Sequence, residues 1–309
     1  FTILNPLFVT PNNLVNLLFD CSTVGVIALG IVCVLMLGEI DLSVGSMIAL
    51  LGVLFVDLVG RFGVPWPLAI AITICAGTII GLVHGLLITK LKMQPFVVTL
   101  CGLLIYRGIA RGYTGEATAG FPFGASFPEL ERLTVGRSFG VPHSFYAMLI
   151  VGVICWFVLH RSVYGRHLQA VGKNEDAARY SGVRTGFVIT SAYVICAVLA
   201  SVAAIYFAMF TRSVQPSSHG NFYELYAIAA AVLGGFSLRG GEGSIIGVIL
   251  GVVLLQELQN LVNLLGIPSS LNFAVMGGVI LVGVLADQQF NRYRQKRRTA
   301  LALEALGKE

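Results

Sequence analysis

The sequence predicts an all-α polytopic membrane protein, and three observations predict it. Hydrophobic residues make up 56% of the 309-residue chain and charged residues only 11%, against about 25% charged in a soluble domain. Mean hydropathy is +0.86, so most of the surface is suited to lipid. The apolar runs are continuous and close to the roughly 20 residues a spanning helix needs, whereas a transmembrane barrel shows short alternating segments.

Nine apolar segments follow one another along the chain. The first two, 22–38 and 42–60, flank the run Glu39-Ile40-Asp41-Leu42-Ser43-Val44-Gly45-Ser46. Ionised groups inside lipid cost roughly 2.5–3.5 kcal/mol each. The cluster is therefore either a buried functional site or a turn at the membrane surface, with Asp41 or Ser43 capping the second helix and Glu39 solvated. The third segment, 68–89, carries Gly77, Gly81 and Gly85, two overlapping steps of four that permit close helix packing. His84 beside that stripe reads as a packing residue with a hydrogen bond or as a proton relay. Segments 95–110 and 225–238 are short for full spans, which predicts broken or re-entrant helices shielded from lipid. Segments 144–160 and 187–210 are unbroken.

The eighth segment, 245–265, combines a second packing step at Gly247 and Gly251 with a polar stripe. Gln256, Gln259, Asn260 and Asn263 recur at helical spacing, which puts four amides on one face. Amides facing a cavity suit a polyhydroxylated solute, because they donate and accept without requiring a charged one. The alternative is hydrogen bonding between helices, about 0.6 kcal/mol per interaction in a membrane. Segment 271–286 completes the nine. Phe1–Val9 reads as the tail of a further helix, and a missing N-terminal span would make ten. Residues 1–286 form one transmembrane domain on this reading, and 287–309 a basic tail.

Lysine and arginine set the expected orientation. The tail carries Arg292, Arg294, Lys296, Arg297 and Arg298, which places it in the cytoplasm. Counting spans backwards puts 239–244, 161–186 and 90–94 inside, with 266–270, 211–224 and 111–143 outside. Inside loops and tail then hold 14 of the 20 basic residues. The outer loop 111–143 is a candidate cap or docking surface for a partner outside the cytoplasm. The inner loop 161–186 contains a short helix signal: Asn174 as N-cap, Glu175 and Asp176 in the first turn, Ala177 and Ala178 propagating, and Gly182 as stop.

Several classes of function are excluded or disfavoured. Walker A, HExxH, GxSxG and dinucleotide-binding patterns are absent from the sequence, so no catalytic residue, cofactor or metal ligand is assigned. Gly234-Gly235 and Gly240-Gly241-Glu242-Gly243 read as flexible ends of a short helix. The six cysteines lie in or beside apolar runs without CxxC spacing and read as small buried hydrophobes. The net charge of +5 follows from the inside loops, with no nucleic-acid partner implied.

With these residues assembled, the chain resembles the membrane permeases of bacterial ATP-binding-cassette importers for monosaccharides, the ribose, arabinose, xylose and autoinducer-2 permease family. The most specific element is Glu39–Ser46, which is similar to the family's Gly-Gly-Ile-Asp-Leu-Ser-Val-Gly-Ser stretch. Gln94–Leu100 with Tyr106-Arg107-Gly108, then Gly165–Gly172 running into Asn174–Gly182, then Ala227–Gly235 with Gly240–Ser244, and finally Asn260 with Asn263–Gly266, extend it over some 260 residues. Glu39 stands where the family commonly has glycine, and His84 where asparagine is expected.

The resemblance implies about ten helices per subunit, a second permease subunit in a homodimer or heterodimer, a cytoplasmic ATPase that hydrolyses the ATP, and a periplasmic sugar-binding protein, all at the inner membrane. It makes Gly172 and Asn174–Gly182 the loop that couples to the ATPase. The expected pathway set is Glu39, Asp41, Ser43, Ser46, His84, Gln256, Asn260 and Asn263. The alternatives are an ion-coupled secondary transporter using Glu39, Asp41 and His84, a passive channel, and a branched-chain amino-acid permease.

Overall fold

The computed structural model describes residues 6–268 and positions 271, 274, 275, 277, 278 and 281. Segment 271–286 falls mostly outside the described residues, and the basic tail 287–309 entirely so. The described chain is mainly helical, and its strands are only two residues long. It comprises α1 (Pro11–Met36), α2 (Val44–Gly60), α3 (Trp66–Thr89), α4 (Pro95–Thr114), α5 (Pro128–Thr134), α6 (His143–Arg161), α7 (Val163–Lys173), α8 (Glu175–Tyr180), α9 (Thr185–Thr211), α10 (Tyr223–Leu233) and α11 (Ile245–Leu264). Six of these (α1, α3, α4, α6, α9 and α11) are long and apolar enough to cross a membrane, with α2 and α10 as shorter apolar helices. The chain is a multi-pass α-helical membrane protein.

Proline in the first turn opens α1, α3, α4 and α5, where its missing N–H costs nothing. The sequence-based boundaries shift in three places. The first helix starts at Pro11, a full three turns before residue 22, and so carries Asp20 within it. Pro6–Val9 forms a single 3₁₀ turn ahead of Pro11, and residues 1–5 of the expected helix tail lie outside the described residues. The fourth is not short: Arg107 and Arg111 hide the end of an unbroken 20-residue helix. The expected short helix at 225–238 is realised as the 11 residues of α10, about 16 Å long against a hydrocarbon core of about 30 Å.

Burial separates centre from periphery. The most apolar window of α1 is 89% buried, whereas those of α3, α4 and α6 are only 22–28% buried. α1 is therefore the axial helix, wrapped by α9, α6, α10 and α11. The outer helices present Ile79, Leu82, Leu104 and Ile150 outward, side chains at no disadvantage against lipid. Cys75 and Cys101 lie on this outer face, a departure from the expected burial that the other four cysteines do show.

The packing glycines hold the helices together at backbone contact. A Cβ on Gly81 would stand 2.7 Å from the Tyr193 carbonyl oxygen and the Val194 Cα, and one on Gly85 2.6 Å from the Thr190 Cα. Gly77 abuts Ser201 and Ala197 in the same α3–α9 seam. Gly247 and Gly251 leave no room for a side chain against the carbonyls of Gly234 and Ala230, which seats α10 on α11.

The loops sort into two ends in the alternation expected from charge. At one end the Gly241 N–H donates to the Met36 carbonyl at 2.8 Å, and Gly172 is pressed on that same carbonyl. At the other, Ala119–Gly120 pairs antiparallel with Ser213–Val214, and Arg212 joins Glu131 at 2.6 Å while lying over the Phe121 ring. The Phe127 N–H and the Arg212 guanidinium together hold the Glu131 carboxyl below its ordinary value. Phe123 and Phe139 stand fully exposed on this cap.

Candidate functional site

The amide stripe of α11 faces a small polar cavity. Gln256, Gln259, Asn260 and Asn263 line it together with Asp20 and Val24 of α1 and Tyr223 and Tyr226 of α10. Its volume is about 80 Å³, below the several hundred Å³ of a pocket that encloses a ligand. Two of the amides also bond between helices: Gln256 Nε2 donates to the Asp20 carbonyl at 3.2 Å, and Asn260 exchanges two 2.9 Å bonds with Asn13 of α1. Interhelical bonding thus engages Gln256 through its nitrogen and Asn260 through both amide atoms, while all four amides line the cavity.

The Glu39–Ser46 run does not reach this cavity. Asp41, Ser43 and Ser46 are each at most 1% exposed. Asp41 Oδ1 accepts from the Ser43 N–H at 2.9 Å and the Ser43 hydroxyl at 2.6 Å, and the Ser46 hydroxyl donates to the Ser43 carbonyl at 2.7 Å. This is an aspartate turn that starts α2. Ser43 occupies the N-cap position, but its hydroxyl is turned back to Asp41 and caps nothing. His84 is 2% exposed, with Nε2 2.7 Å from the Tyr106 hydroxyl and Nδ1 buried without a partner. Glu39, at the end of the linker nearer α1, accepts from the Tyr193 hydroxyl at 2.9 Å. The expected pathway residues therefore fall into two groups: the amides at the cavity, and a buried polar knot of α1–α2 linker, α3, α4 and α9.

A feature that sequence reasoning missed joins the two groups. The α2 N-terminus meets the N-terminus of α10 within the packed helices: the Glu224 carboxylate of α10 accepts from the Gly45 N–H, so an acid from another helix supplies the missing cap of α2. Arg107 of α4 donates to the carbonyls of Pro216 at 2.9 Å and His219 at 2.8 Å, and its charge faces Glu224. It thereby straps down the non-helical stretch that feeds α10. The His219 ring stacks on Phe207 with centroids 3.9 Å apart, and Phe207 on Tyr223. Non-helical backbone buried among helices requires such partners. The available signal was the short apolar length of 225–238 together with an arginine inside segment 95–110.

In the 161–186 loop, α7 and α8 pack against each other. Asn174 Oδ1 accepts from the Ala177 N–H at 2.9 Å and Glu175 pairs with Arg179. Asp176 lies 3.7 Å from Arg179. Ala178 is buried, and Gly182 ends the helix at φ +86°, a backbone state that favours glycine. Tyr180 projects 93% exposed from α8. Among the described residues no cluster of potential metal ligands occurs.

A family model described as branched-chain amino acid transport system / permease component matches residues 13–284. The ribose import permeases of Escherichia coli strain K12 and Bacillus subtilis strain 168 are each 39% identical to this chain, over 93% of it and 88% of their own length. The autoinducer 2 import system permease protein of Escherichia coli O9:H4 strain HS is 33% identical over 99% of this chain and 92% of its own. No solved structure matches the chain. With a family match over most of its length, several spanning helices and a polar cavity among them, the chain belongs to the branched-chain amino acid transport system / permease component family.

Proposed function

We propose that this permease is the transmembrane subunit of an ATP-binding-cassette importer that moves a monosaccharide or similar small polyol across a bacterial inner membrane by alternating access. The observation that carries the choice of solute is the cavity lining: four amides, two tyrosines and one carboxylate, with no lysine, arginine or histidine among the described residues there. The carboxylate of a branched-chain amino acid would find no cation among these residues, only its ammonium having a partner in Asp20, whereas every hydroxyl of a sugar can pair with amides and phenols. The ribose and autoinducer 2 permeases among its relatives support the same choice.

On this reading the end bearing α7 and α8 is cytoplasmic, the basic tail lies on the same side, and α8 with its projecting Tyr180 engages a separate ATPase that hydrolyses the ATP. The opposite end, with Phe123 and Phe139 exposed on the cap, receives a sugar-binding protein, and a second permease subunit completes the path. Proteoliposomes holding the permease with its ATPase and binding protein should accumulate radiolabelled D-ribose or another pentose only with ATP inside, regardless of protonophore. Accumulation by the permease alone, or its collapse on adding protonophore, would sink the proposal in favour of ion coupling.

A further inference from the structure

The cavity has one charged wall. Among the described residues that line it, Asp20 is the only ionisable carboxylate and none is basic. Its neighbours along α1, Phe19 and Cys21, are 2% and 1% exposed, while Asp20 itself is exposed. The helix thus turns this acid toward the cavity. Gln256 is held by the Asp20 backbone carbonyl rather than by the carboxylate, which leaves the acid's oxygens for a solute. Opposite it stand Tyr223 and Tyr226, hydroxyl-bearing groups that can donate but carry no positive charge.

We infer that Asp20 makes the cavity an electrostatic filter that admits uncharged polyols and rejects anionic solutes. A carboxylate accepts hydrogen bonds from adjacent hydroxyls strongly because the acceptor is charged. The same charge, in a cavity walled by low-dielectric protein, repels the acid group of a sugar acid. Selection then occurs within the membrane as well as at any delivery protein. The inference rests on the reading of this cavity as part of the transport path, and the test separates the two.

The reporter is Gln259→Cys, on the cavity wall, in assembled permease whose outward-facing Cys75 and Cys101 are replaced by alanine. Its rate of modification is measured at about pH 8, where an ordinary carboxylate is ionised, with a cationic and an anionic methanethiosulfonate of similar size. Rates are normalised to a free thiol. The filter predicts that the cationic reagent reacts about tenfold faster. Asp20→Asn should bring the ratio close to one, and Asp20→Glu should keep it. Neutralising Glu257, on the same helix but off the cavity wall, should leave it near the starting value.

A ratio unchanged by Asp20→Asn, or lowered as much by Glu257→Gln, overturns the filter and leaves the pathway standing. A cysteine at 259 that neither reagent reaches, from either side of the membrane, overturns the pathway reading and the filter with it.

Discussion

Replacing Gly81 by alanine isolates the α3–α9 seam that supports the buried polar knot. The new Cβ would lie 2.7 Å from the Tyr193 carbonyl oxygen, 2.7 Å from the Val194 Cα and 3.0 Å from the Ala197 Cβ. Ordinary contact begins near 3.4 Å, so the helices must part by about 0.7 Å at two of the three points. Overpacking of this kind costs about 1–3 kcal/mol, and alanine returns roughly 0.5–1 kcal/mol of helix propensity. The net loss is about 1–2 kcal/mol.

Gly108→Ala is the matched control, because nothing lies within 4 Å of its Cβ and the site is also helical. It should gain the propensity term without the clash, which separates the two variants by roughly 2 kcal/mol, a factor of about 30 in the unfolding equilibrium. Reversible unfolding of the purified permease in mixed micelles, followed by far-ultraviolet circular dichroism, measures both. The displacement also falls at Tyr193, the donor to Glu39, so the hydrogen exchange of residues 37–43 should rise in Gly81→Ala alone. Equal stability of the two variants would refute the backbone-contact reading of the glycine stripe.

Three further outcomes are expected. Asn174→Ala removes the α8 N-cap, at about 1 kcal/mol, and Tyr180→Ala removes its exposed knob. Both should reduce co-purification of the ATPase partner while leaving membrane insertion intact, and full assembly in both would remove α8 from the coupling role. Arg107→Met loses two charge-assisted bonds to the Pro216 and His219 carbonyls, about 3 kcal/mol. Uptake should fall and exchange in 215–222 rise, with partial recovery in Arg107→Lys. Acid should loosen the cap that holds Glu131: its carboxyl is depressed in the folded chain, so its contribution is complete above the unfolded value, about 4.3, and is lost as pH falls through the lower folded value. Proteolysis of the 115–142 loop should accelerate below about pH 4, and Glu131→Gln should show the looser state at neutral pH.

Much of the architecture was legible because bilayer thickness imposes a length and a composition on every span. Segments 42–60, 68–89, 144–160, 187–210 and 245–265 differ from α2, α3, α6, α9 and α11 by at most two residues at either end. The first turns of α1 were missed because Asn12, Asn13, Asn16 and Asp20 do not read as lipid-facing. Two of them serve polar contacts instead: Asn13 pairs with Asn260 of α11, and Asp20 lines the polar cavity. α7 escaped notice for the related reason that it is amphipathic and polar on average, with only Gly165, Leu168 and Val171 buried.

The chain by itself determined the helices, their alternation between two ends, the packing glycines and the amide face, since each depends on the spacing of residues along one element. Only the tertiary structure decided what those faces meet. It separated the Asp41–Ser46 turn from the Gln256–Asn263 cavity, set Asp20 opposite Tyr223 and Tyr226, and brought Glu224 from residue 224 to cap a helix beginning at residue 44. Periodicity fixes which side of a helix a residue occupies. The neighbour on that side is chosen by packing between segments far apart in sequence, and no local pattern encodes it.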